Sequence, residues 1–514
     1  MSKGTVILSL AIALTASGGL RGQTLGRTPA RPVLPFRPRP ASISAAAQEL
    51  FIYYQVGGPN NSPQQTTTLV NNRNQQVTYA VELTAGGSVS GRVWAAASPA
   101  SGTIPPGGSA QLVVGYDTSS NLPPGTYDAV VTVTTSRNGG CQRGTYGAVA
   151  TITTSGDGAC QLNIPVRLVV STTPQLNVLP ADLSFFCSAG GSPPPAQVVM
   201  PTATNLAPGV DRSASVRIAI SASTEDGSAW LFAPTLGSAG APFPVAAIPG
   251  NLAPGTYHGA IAVSATGVAN NPQIIPVSLK VVSAPVVQVN SSWVSLIYAN
   301  PPPPLAVTSS TGAPLNLSAT ASRSTSICGD SWLAATVGQA GTANGSIAVA
   351  LKTVGPTPKV CLGAVTVNAV DPATGAASYA VVQVAAYVNG GPYAVVTPSV
   401  PLVFTAPAGS TTSLGQNFTL SLTDGTSDFS SGFAAPAAAD GTVVPSGPGE
   451  WNSWLGIGWL TAPGALGLGS IVVEPGGLAP GTYDGMVSFS GPLDTAFPNI
   501  VIIPVRLNVT RKPQ

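Results

Sequence analysis

The stretch Asn121-Leu-Pro-Pro-Gly-Thr-Tyr127 recurs as Asn251-Leu-Ala-Pro-Gly-Thr-Tyr257 and again as Gly477-Leu-Ala-Pro-Gly-Thr-Tyr483. A β-type run follows each copy, for example Asp128-Ala-Val-Val-Thr-Val-Thr134. Pro before Gly favours a turn, and Gly tolerates the positive φ that other residues avoid. The Tyr then opens a strand whose alternate residues face a core. The recurrence therefore predicts a series of similar β domains, each with a Tyr at the corner between two strands.

Two further landmarks flank each corner. A Trp lies upstream of each Tyr, at Trp94, Trp230 and Trp459. A strand that contains Ile-Pro-Val lies downstream, at Ile164-Pro-Val166, Ile275-Pro-Val277 and Ile503-Pro-Val505. A Pro inside a strand is tolerated at a sheet edge, so we expect each closing strand to begin at an edge. We interpret the corner Tyr and the upstream Trp as core residues that hold two sheets together.

A divergent copy lies between residues 285 and 391. Trp332-Leu aligns with Trp459-Leu, and Cys361 takes the place of the corner Tyr. The chain then reads as repeat 1 (45–172), repeat 2 (173–284), repeat 3 (285–391) and repeat 4 (392–514). The predicted fold is all-β, with four tandem immunoglobulin-like antiparallel β-sandwich domains in a row. Short junctions such as Val282-Ser-Ala-Pro285 predict that neighbouring domains lie nearly in line.

The composition supports this architecture. A chain of 514 residues exceeds one domain, and its 58 Gly and 50 Pro fit many short strands joined by turns. Only 7% of the residues are charged, the net charge is +2, and 44% are hydrophobic. A hydrophobic content this high argues against disorder. The absence of a basic patch in the sequence excludes nucleic acid as an expected partner.

The first residues have the pattern of an export signal. Lys3 precedes the apolar run Thr5-Val-Ile-Leu-Ser-Leu-Ala-Ile-Ala-Leu14 and the small residues Ala16-Ser-Gly-Gly19. We predict a signal peptide at 1–23, a Pro/Arg-rich linker at 24–44, and a secreted or cell-surface protein with no membrane span after signal removal. An uncleaved signal anchor is the alternative. The linker arginines are either solvated or bound to an anionic surface.

The five cysteines lead to two predicted disulfides. Cys141 and Cys160 flank an insertion in repeat 1, so we predict that they staple an inserted hairpin. Cys328 lies just before Trp332, and a bond to Cys361 would replace the missing tyrosine tie. Cys187 is left over. It is predicted to be a small buried hydrophobe, or alternatively a link between two chains.

The search for catalytic or metal chemistry is mostly negative. His258 is the only His, and it occupies a position where sister repeats have Asp128 and Asp484. No Cys-x-x-Cys or His cluster suggests zinc, and we expect no cofactor, no metal and no catalytic residue. Asp424 and Asp428 lie in a Gly-containing turn that is either an ordinary turn or a partial calcium loop. Distant paired carboxylates for glycoside hydrolysis remain an alternative.

The strongest candidate for recognition is Glu450-Trp-Asn-Ser-Trp-Leu-Gly-Ile-Gly-Trp459. Trp451 and Trp454 have no counterpart in the alignment above, and a Gly/Pro-rich insertion precedes them. Exposed indole faces can stack on sugar rings, while Asn452 and Glu450 can hydrogen-bond hydroxyls. The alternative is a loop that folds over its own core. Trp293 is expected to pack within a strand.

The pattern of Trp94, Ser98-Pro-Ala-Ser-Gly-Thr103, Ala110-Gln-Leu-Val-Val114 and Leu122-Pro-Pro-Gly-Thr-Tyr127 with a closing Ile-Pro-Val resembles the BACON domain and related bacterial immunoglobulin-like repeats. The corner is also similar to that of fibronectin type III domains. The resemblance implies an extracellular, non-enzymatic module of a kind that is often found beside carbohydrate-active domains and proposed to bind glycans or mucin. It carries over no binding residue. The expected function is structural or adhesive, with carbohydrate or a surface protein as partner. A polysaccharide-degrading enzyme or its targeting subunit, and a passive spacer, are the alternatives.

Overall fold

The computed structural model describes residues 43–56, 63–85, 94–135, 144–146, 150–154, 160–203, 216–297, 302–323, 332–338, 344–352, 359–388, 392–398, 401–424, 430–434, 454–459, 467–490 and 500–511. Within these ranges the chain forms β-strands and a short 3-10 turn at Thr118–Ser120. The all-β fold of four tandem sandwiches is the predicted one. The first strand begins at Ile43, so the end of the predicted linker is part of repeat 1.

Repeat 1 is a sandwich of two sheets. Its strands are β1 (Ile43–Ala45), β2 (Leu50–Gln55), β3 (Gln64–Asn71), β4 (Val77–Ala85), β5 (Ala95–Ser98), β6 (Ser101–Ile104), β7 (Ser109–Tyr116), β8 (Gly125–Thr135), β9 (Gly144–Tyr146), β10 (Ala150–Thr154) and β11 (Cys160–Ser171). Sheet I has the order β1-β3-β7-β5, and sheet II contains β6-β4-β8-β11 with β2 parallel to β11. The insertion forms the hairpin β9–β10, which extends sheet II beside β11.

Repeat 2 has the same plan. Its strands are β12 (Leu176–Leu179), β13 (Leu183–Ser188), β14 (Gln197–Ala203), β15 (Arg217–Thr224), β16 (Leu231–Phe232), β17 (Leu236–Ser238), β18 (Phe243–Ala247), β19 (Gly255–Ala265) and β20 (Gln273–Val282). Sheet I is β12-β14-β18-β16, and sheet II is β13-β20-β19-β15-β17.

Repeats 3 and 4 have four strands in each sheet. Repeat 3 contains β21 (Val287–Val289), β22 (Trp293–Ile297), β23 (Leu305–Ser309), β24 (Asn316–Arg323), β25 (Leu333–Gly338), β26 (Asn344–Leu351), β27 (Lys359–Val370) and β28 (Ala377–Val388). Repeat 4 contains β29 (Ala394–Thr397), β30 (Leu402–Pro407), β31 (Leu414–Leu422), β32 (Ser430–Ala434), β33 (Leu455–Trp459), β34 (Gly467–Val473), β35 (Gly481–Ser490) and β36 (Ile500–Thr510). Their sheets I are β21-β23-β26-β25 and β29-β31-β34-β33, and their sheets II are β22-β28-β27-β24 and β30-β36-β35-β32.

The prolines of the closing strands mark the places where a second partner begins. Pro165 lies one residue before Val166, the first residue of β11 that pairs with the parallel strand β2. Pro276 and Pro504 occupy the same position before the parallel pairs β13–β20 and β30–β36. Because Pro has no N–H to donate, it fits where one side of the strand is locally unpaired. The closing strands β20 and β36 therefore begin at a local edge, as the sequence predicts. In repeat 1, β10 already pairs with residues 160–163 of β11, so Pro165 lies between two partner strands and the prediction fails there.

Each repeat buries its own apolar core between its two sheets. A fifth cluster joins three repeats: Val198 from repeat 2, Trp293 and Tyr387 from repeat 3, and Met486 and Ile502 from repeat 4. Repeat 1 also contacts repeat 3, through β7 against β24 and β27. A strictly linear row would keep alternate repeats apart. The expectation that neighbours lie nearly in line is therefore wrong, because repeats two apart in the chain pack on each other.

Candidate functional site: cores, corners and sheet faces

The corner tyrosines make the tie that the motif predicts. Tyr127 Oη donates to the Pro123 carbonyl oxygen at 2.8 Å. Tyr257 donates to Ala253 at 2.8 Å, and Tyr483 to Ala479 at 2.9 Å. Each bond reaches four residues back, to the turn that precedes the strand. The recurring Leu-x-Pro-Gly-x-Tyr stretch therefore fixes the start of one central strand in three repeats.

The Trp residue of each corner is buried in the core, and in repeat 4 this residue is Trp454. Trp94, Trp230, Trp332 and Trp454 are each at most 1% exposed. The backbone carbonyl of each Trp accepts a hydrogen bond from the first residue after the neighbouring strand of sheet I. In repeat 4 the Glu474 N–H donates to the Trp454 carbonyl oxygen at 2.8 Å. The spacing agrees, because 483 − 454 = 29 equals 361 − 332 = 29. The prediction of Trp454 as a sugar-binding residue is wrong, since its indole packs against Tyr483.

The remaining residues of the candidate sugar site fall outside the described part of the chain. They are Glu450, Trp451 and Asn452, and they stay a prediction. Trp459, which we aligned with the core Trp, ends β33, and its side chain also lies outside the description. The alignment chose the wrong Trp because Trp454-Leu455 and Trp459-Leu460 are the same dipeptide. The separation from the corner Tyr is the signal that distinguishes them.

A glycine two residues after the corner position lets the Trp approach the central strand. A Cβ atom at Gly259 would lie 2.6 Å from the Ser223 carbonyl oxygen and 2.9 Å from Leu231 Cδ2. Distances this short would force the backbone to move. The equivalent glycines are Gly363 and Gly485. Repeat 1 instead has Ala129, and it has Ala95 where the other repeats have Leu after the Trp.

Cys187 and Cys361 are buried, and each predicted disulfide has at least one cysteine side chain outside the described part of the chain. Cys361 lies in the core of repeat 3 at the corner position, while Cys328 lies outside the described ranges. Cys141 and the side chain of Cys160 are also outside. Both disulfides therefore remain predictions. Cys187 is a free thiol in the core of repeat 2, as its alternation predicts, and burial raises its pKa to about 11.

The described residues show no constellation suited to catalysis or metal binding. His258 is exposed on β19, opposite Ser278. Asp424 is exposed and Asp428 is outside the described ranges. No group of His, Cys, Asp and Glu in the described ranges could hold a metal ion. The same residues contain no helix that is long and apolar enough to span a membrane.

The polar side chains that make specific contacts lie instead at the interfaces between repeats. Asn368 of repeat 3 binds the backbone of Ser109 in repeat 1 twice: its Oδ1 accepts from the Ser109 N–H at 2.8 Å, and its Nδ2 donates to the carbonyl at 2.9 Å. Ser322 donates to the Gln111 carbonyl at 2.6 Å. Asn368 and Ser322 are at most 2% exposed. Sequence reasoning missed them because each sits at a position that is solvent-facing in an isolated sandwich.

The same contact continues into repeat 2 through a chain of hydrogen bonds. Gln111 Nε2 donates to Thr68 Oγ1 at 2.7 Å, and Thr68 Oγ1 donates to Asp182 Oδ2 at 2.8 Å. The Thr68 N–H donates to Asp182 Oδ1 at 3.1 Å. Burial of Asp182 raises the pKa of its carboxyl, although the bonds from Thr68 partly oppose this. Repeats 1, 2 and 3 thus share one buried polar network.

Repeat 4 docks on repeat 2 by a charged pair and apolar side chains. Arg506 donates to both carboxylate oxygens of Asp484, at 2.6 and 2.8 Å. The same guanidinium donates to the carbonyls of Pro193 and Pro194 in repeat 2, at 3.3 and 3.2 Å. Met486, two residues from Asp484, is 2% exposed in the shared apolar cluster. A bidentate pair with two further acceptors satisfies most of the guanidinium donors.

Neighbouring repeats 2 and 3 meet around two aromatic rings. Phe186 and Tyr379 pack edge to face with centroids 4.5 Å apart, and Lys280 Nζ lies 5.2 Å from the Phe186 centroid. Ser292 Oγ donates to the Ala196 carbonyl at 2.6 Å. A cavity of about 30 Å³ beside these rings has room for about one water molecule. This junction is packed as an interior and is not a substrate pocket.

Comparison with known proteins identifies no family for this chain. No protein-family model matches it, and no curated protein matches it. Among solved structures, Drosophila N-cadherin EC1-4 covers 90% of this chain and 99% of its own length at 11% identity and a TM-score of 0.17. A Porphyromonas gingivalis W83 protein of unknown function covers 46% and 99% at 12% identity and 0.18. The human desmocollin-1 ectodomain covers 90% and 80% at 9% identity and 0.16. TM-scores this low carry no inference about function.

Proposed function

We propose that this protein is exported and acts outside the cell or on its surface as a non-enzymatic structural or adhesive module. The observation that carries the proposal is the packing of the four sandwiches on one another, including repeats two apart in the chain. Buried contacts of this kind restrict the relative motion of domains. The arrangement suits a stiff extracellular body that presents fixed surfaces to a partner.

The proposed partner is carbohydrate or a surface protein. Support for carbohydrate comes from Trp451, Asn452 and Glu450, whose side chains combine an aromatic face with hydrogen-bonding groups. Trp454 is no longer part of this proposal because it belongs to the core of repeat 4. The BACON-like pattern around Trp94 and Tyr127 is consistent with an extracellular setting. Export itself is supported by the apolar run that follows Lys3.

The test combines export with binding. We expect the secreted protein to begin near residue 24, as measured by mass spectrometry of its amino-terminal peptide. The mature chain is then applied to a glycan array and to insoluble polysaccharides, beside Trp451→Ala and the matched control Trp451→Phe. Binding that is lost in the Ala variant and kept in the Phe variant supports carbohydrate recognition. Retention of the chain inside the cell contradicts the proposal.

A passive spacer is the second candidate, and the same rigid packing favours it. A spacer needs stiffness but no ligand. Wild-type protein that binds no glycan and no intact cell surface, while it scatters X-rays as one rigid body, would favour the spacer over the adhesive module. If the protein binds intact cells and protease treatment of those cells abolishes the binding, the partner is a surface protein.

A further inference from the structure

The two contacts between repeats that lie two apart in the chain use the same pair of sheets. The equivalent sheets of the other repeats are therefore left without such a contact. Sheet I of repeat 1 packs on sheet II of repeat 3, through β7 against β24 and β27. Sheet I of repeat 2 packs on sheet II of repeat 4, through β18 against β35. Among the described strands, sheet II of repeats 1 and 2 and sheet I of repeats 3 and 4 pack on no alternate repeat, although the edge strand β13 of repeat 2 touches the adjacent repeat 3 at Tyr379.

Burial along the central strands records which faces are covered. Strands β7 and β18 of the covered sheets I are buried at every position. The equivalent strands β26 and β34 of the free sheets I alternate between buried and more exposed residues. In sheet II the covered strands belong to repeats 3 and 4, and the free strands belong to repeats 1 and 2. Burial is continuous from Ala364 to Ala369 in β27 but alternates from Ala129 to Thr135 in β8.

The free faces carry apolar side chains of the kind that the covered faces bury. Val130 is 37% exposed on free sheet II of repeat 1, whereas its counterparts Ala364 and Met486, three residues after the corner position, are 2% exposed. On free sheet II of repeat 2, Leu236 and Ile274 are 50% and 57% exposed. Leu468 is 38% exposed on free sheet I of repeat 4. Three of the four free faces thus present at least one exposed apolar side chain.

The free sheets I also lack the charges that normally keep an exposed sheet soluble. Strands β21, β23, β25 and β26 of repeat 3 and β29, β31, β33 and β34 of repeat 4 contain no Asp, Glu, Lys or Arg. The covered sheets I of repeats 1 and 2 are equally uncharged. A solvent-facing sheet usually carries charged side chains that oppose association. Sheet I has the same chemistry whether or not a repeat of this chain covers it.

We infer that a second copy of this chain covers the free faces, with sheets I of repeats 3 and 4 of one copy on sheets II of repeats 1 and 2 of the next. The inference extends the proposed structural function, on which it rests, by naming the partner. Both halves of the contact are present on one chain, and the chain already forms this contact twice within itself. The two halves differ, so the contact is heterologous and each added copy presents a new free face. The protein therefore grows head to tail into a filament.

The test is sedimentation velocity of the full mature chain over a concentration series. We expect the wild-type sedimentation coefficient to rise with concentration without stopping at a dimer. Leu468→Glu blocks the donor sheet I face, and Ile274→Glu blocks the acceptor sheet II face, so each variant alone is expected to stay monomeric. Val403→Glu is the matched control: Val403 is 65% exposed on β30, away from both free faces, and this variant should still assemble.

Mixing the two blocked variants gives the sharpest result. Leu468→Glu retains its sheet II face and Ile274→Glu retains its sheet I face, so an equal mixture should form a complex that stops at two chains. Circular dichroism melting curves equal to wild type show that the variants are folded. A wild-type chain that stays monomeric at its highest soluble concentration overturns the inference, as does continued assembly of either Leu468→Glu or Ile274→Glu by itself. A monomer that still binds glycan or cells would leave the proposed function intact.

Discussion

An Asp–Arg pair occupies the same place in repeat 1 and in repeat 4, with different surroundings. Asp128 and Arg167 are joined by one bond of 2.9 Å, and their side chains are 66% and 44% exposed. Asp484 and Arg506 are 8% and 21% exposed, because repeat 2 covers them and supplies two carbonyl acceptors. A surface ion pair contributes little to stability, whereas a covered pair links two domains. The position in the repeat thus brings the two charges together, and the covering repeat determines how far the pair is buried.

The largest expected difference in the free energy of unfolding is at Met486 and Val130, which lie two residues after Asp484 and Asp128. Met486→Asp would place an unpaired charge in the cluster that repeats 2, 3 and 4 share, and it should lower the free energy of unfolding by about 4 kcal/mol. Val130→Asp, at the equivalent position of a face that no repeat of the same chain covers, should change the free energy of unfolding of the monomeric chain by less than about 0.5 kcal/mol. Calorimetric melting of both variants measures the contrast. Equal effects would show that the face of repeat 4 is not covered in solution.

A change beneath the faces checks that the repeats share one core geometry. Gly259→Ala introduces a Cβ atom 2.6 Å from the Ser223 carbonyl oxygen, and we expect it to destabilise repeat 2 by about 2–3 kcal/mol. Ala129→Gly at the equivalent position of repeat 1 removes one methyl group and should cost about 1 kcal/mol. Urea unfolding followed by tryptophan fluorescence measures both. A neutral Gly259→Ala variant would contradict the close approach of the Ser223 carbonyl oxygen and Leu231.

The charged pairs themselves provide the next comparison. Arg506→Ala leaves Asp484 covered without its cation, and we expect a loss of about 2 kcal/mol, which allows for the partial exposure of the pair. Arg167→Ala should cost less than about 0.5 kcal/mol. Limited proteolysis should cut the Arg506→Ala variant faster than the wild type, because the contact between repeats 2 and 4 is weakened. The two variants melting at the same temperature would remove the distinction between the pairs.

The smallest expected effect is a pH dependence that distinguishes the buried interface carboxylate of Asp182 from the exposed carboxylate of Asp128. Asp182 accepts hydrogen bonds from Thr68, and burial raises its pKa above the usual value. A raised folded-state pKa means that stability is fully present below the unfolded pKa and declines as the pH rises through the folded value. Asp182→Asn should therefore raise the melting temperature at pH 8 and change it little at pH 4. Asp128→Asn, on the exposed pair, is the control and should be neutral at both values.

Much of each repeat can be predicted from sequence because its determinants are local. The turn before Tyr127 and the alternation after it specify a strand, and the Pro of Ile-Pro-Val marks where a second partner begins. The choice between Trp454 and Trp459 could not be made from the dipeptide that each begins. It depends on which indole reaches Gly485 and which carbonyl meets the Glu474 N–H, and those contacts are made across the sandwich.

The sequence by itself determined an all-β chain of four sandwiches, because turn chemistry and the two-residue period act over a few positions. Only the tertiary structure decided that alternate repeats pack together. Asn368 and Ser322 are small polar residues at outward positions, and such residues suit water and a flat neighbouring sheet equally well. Whether an outward face is wet or covered depends on the path of the chain over a hundred or more residues, which no local pattern encodes.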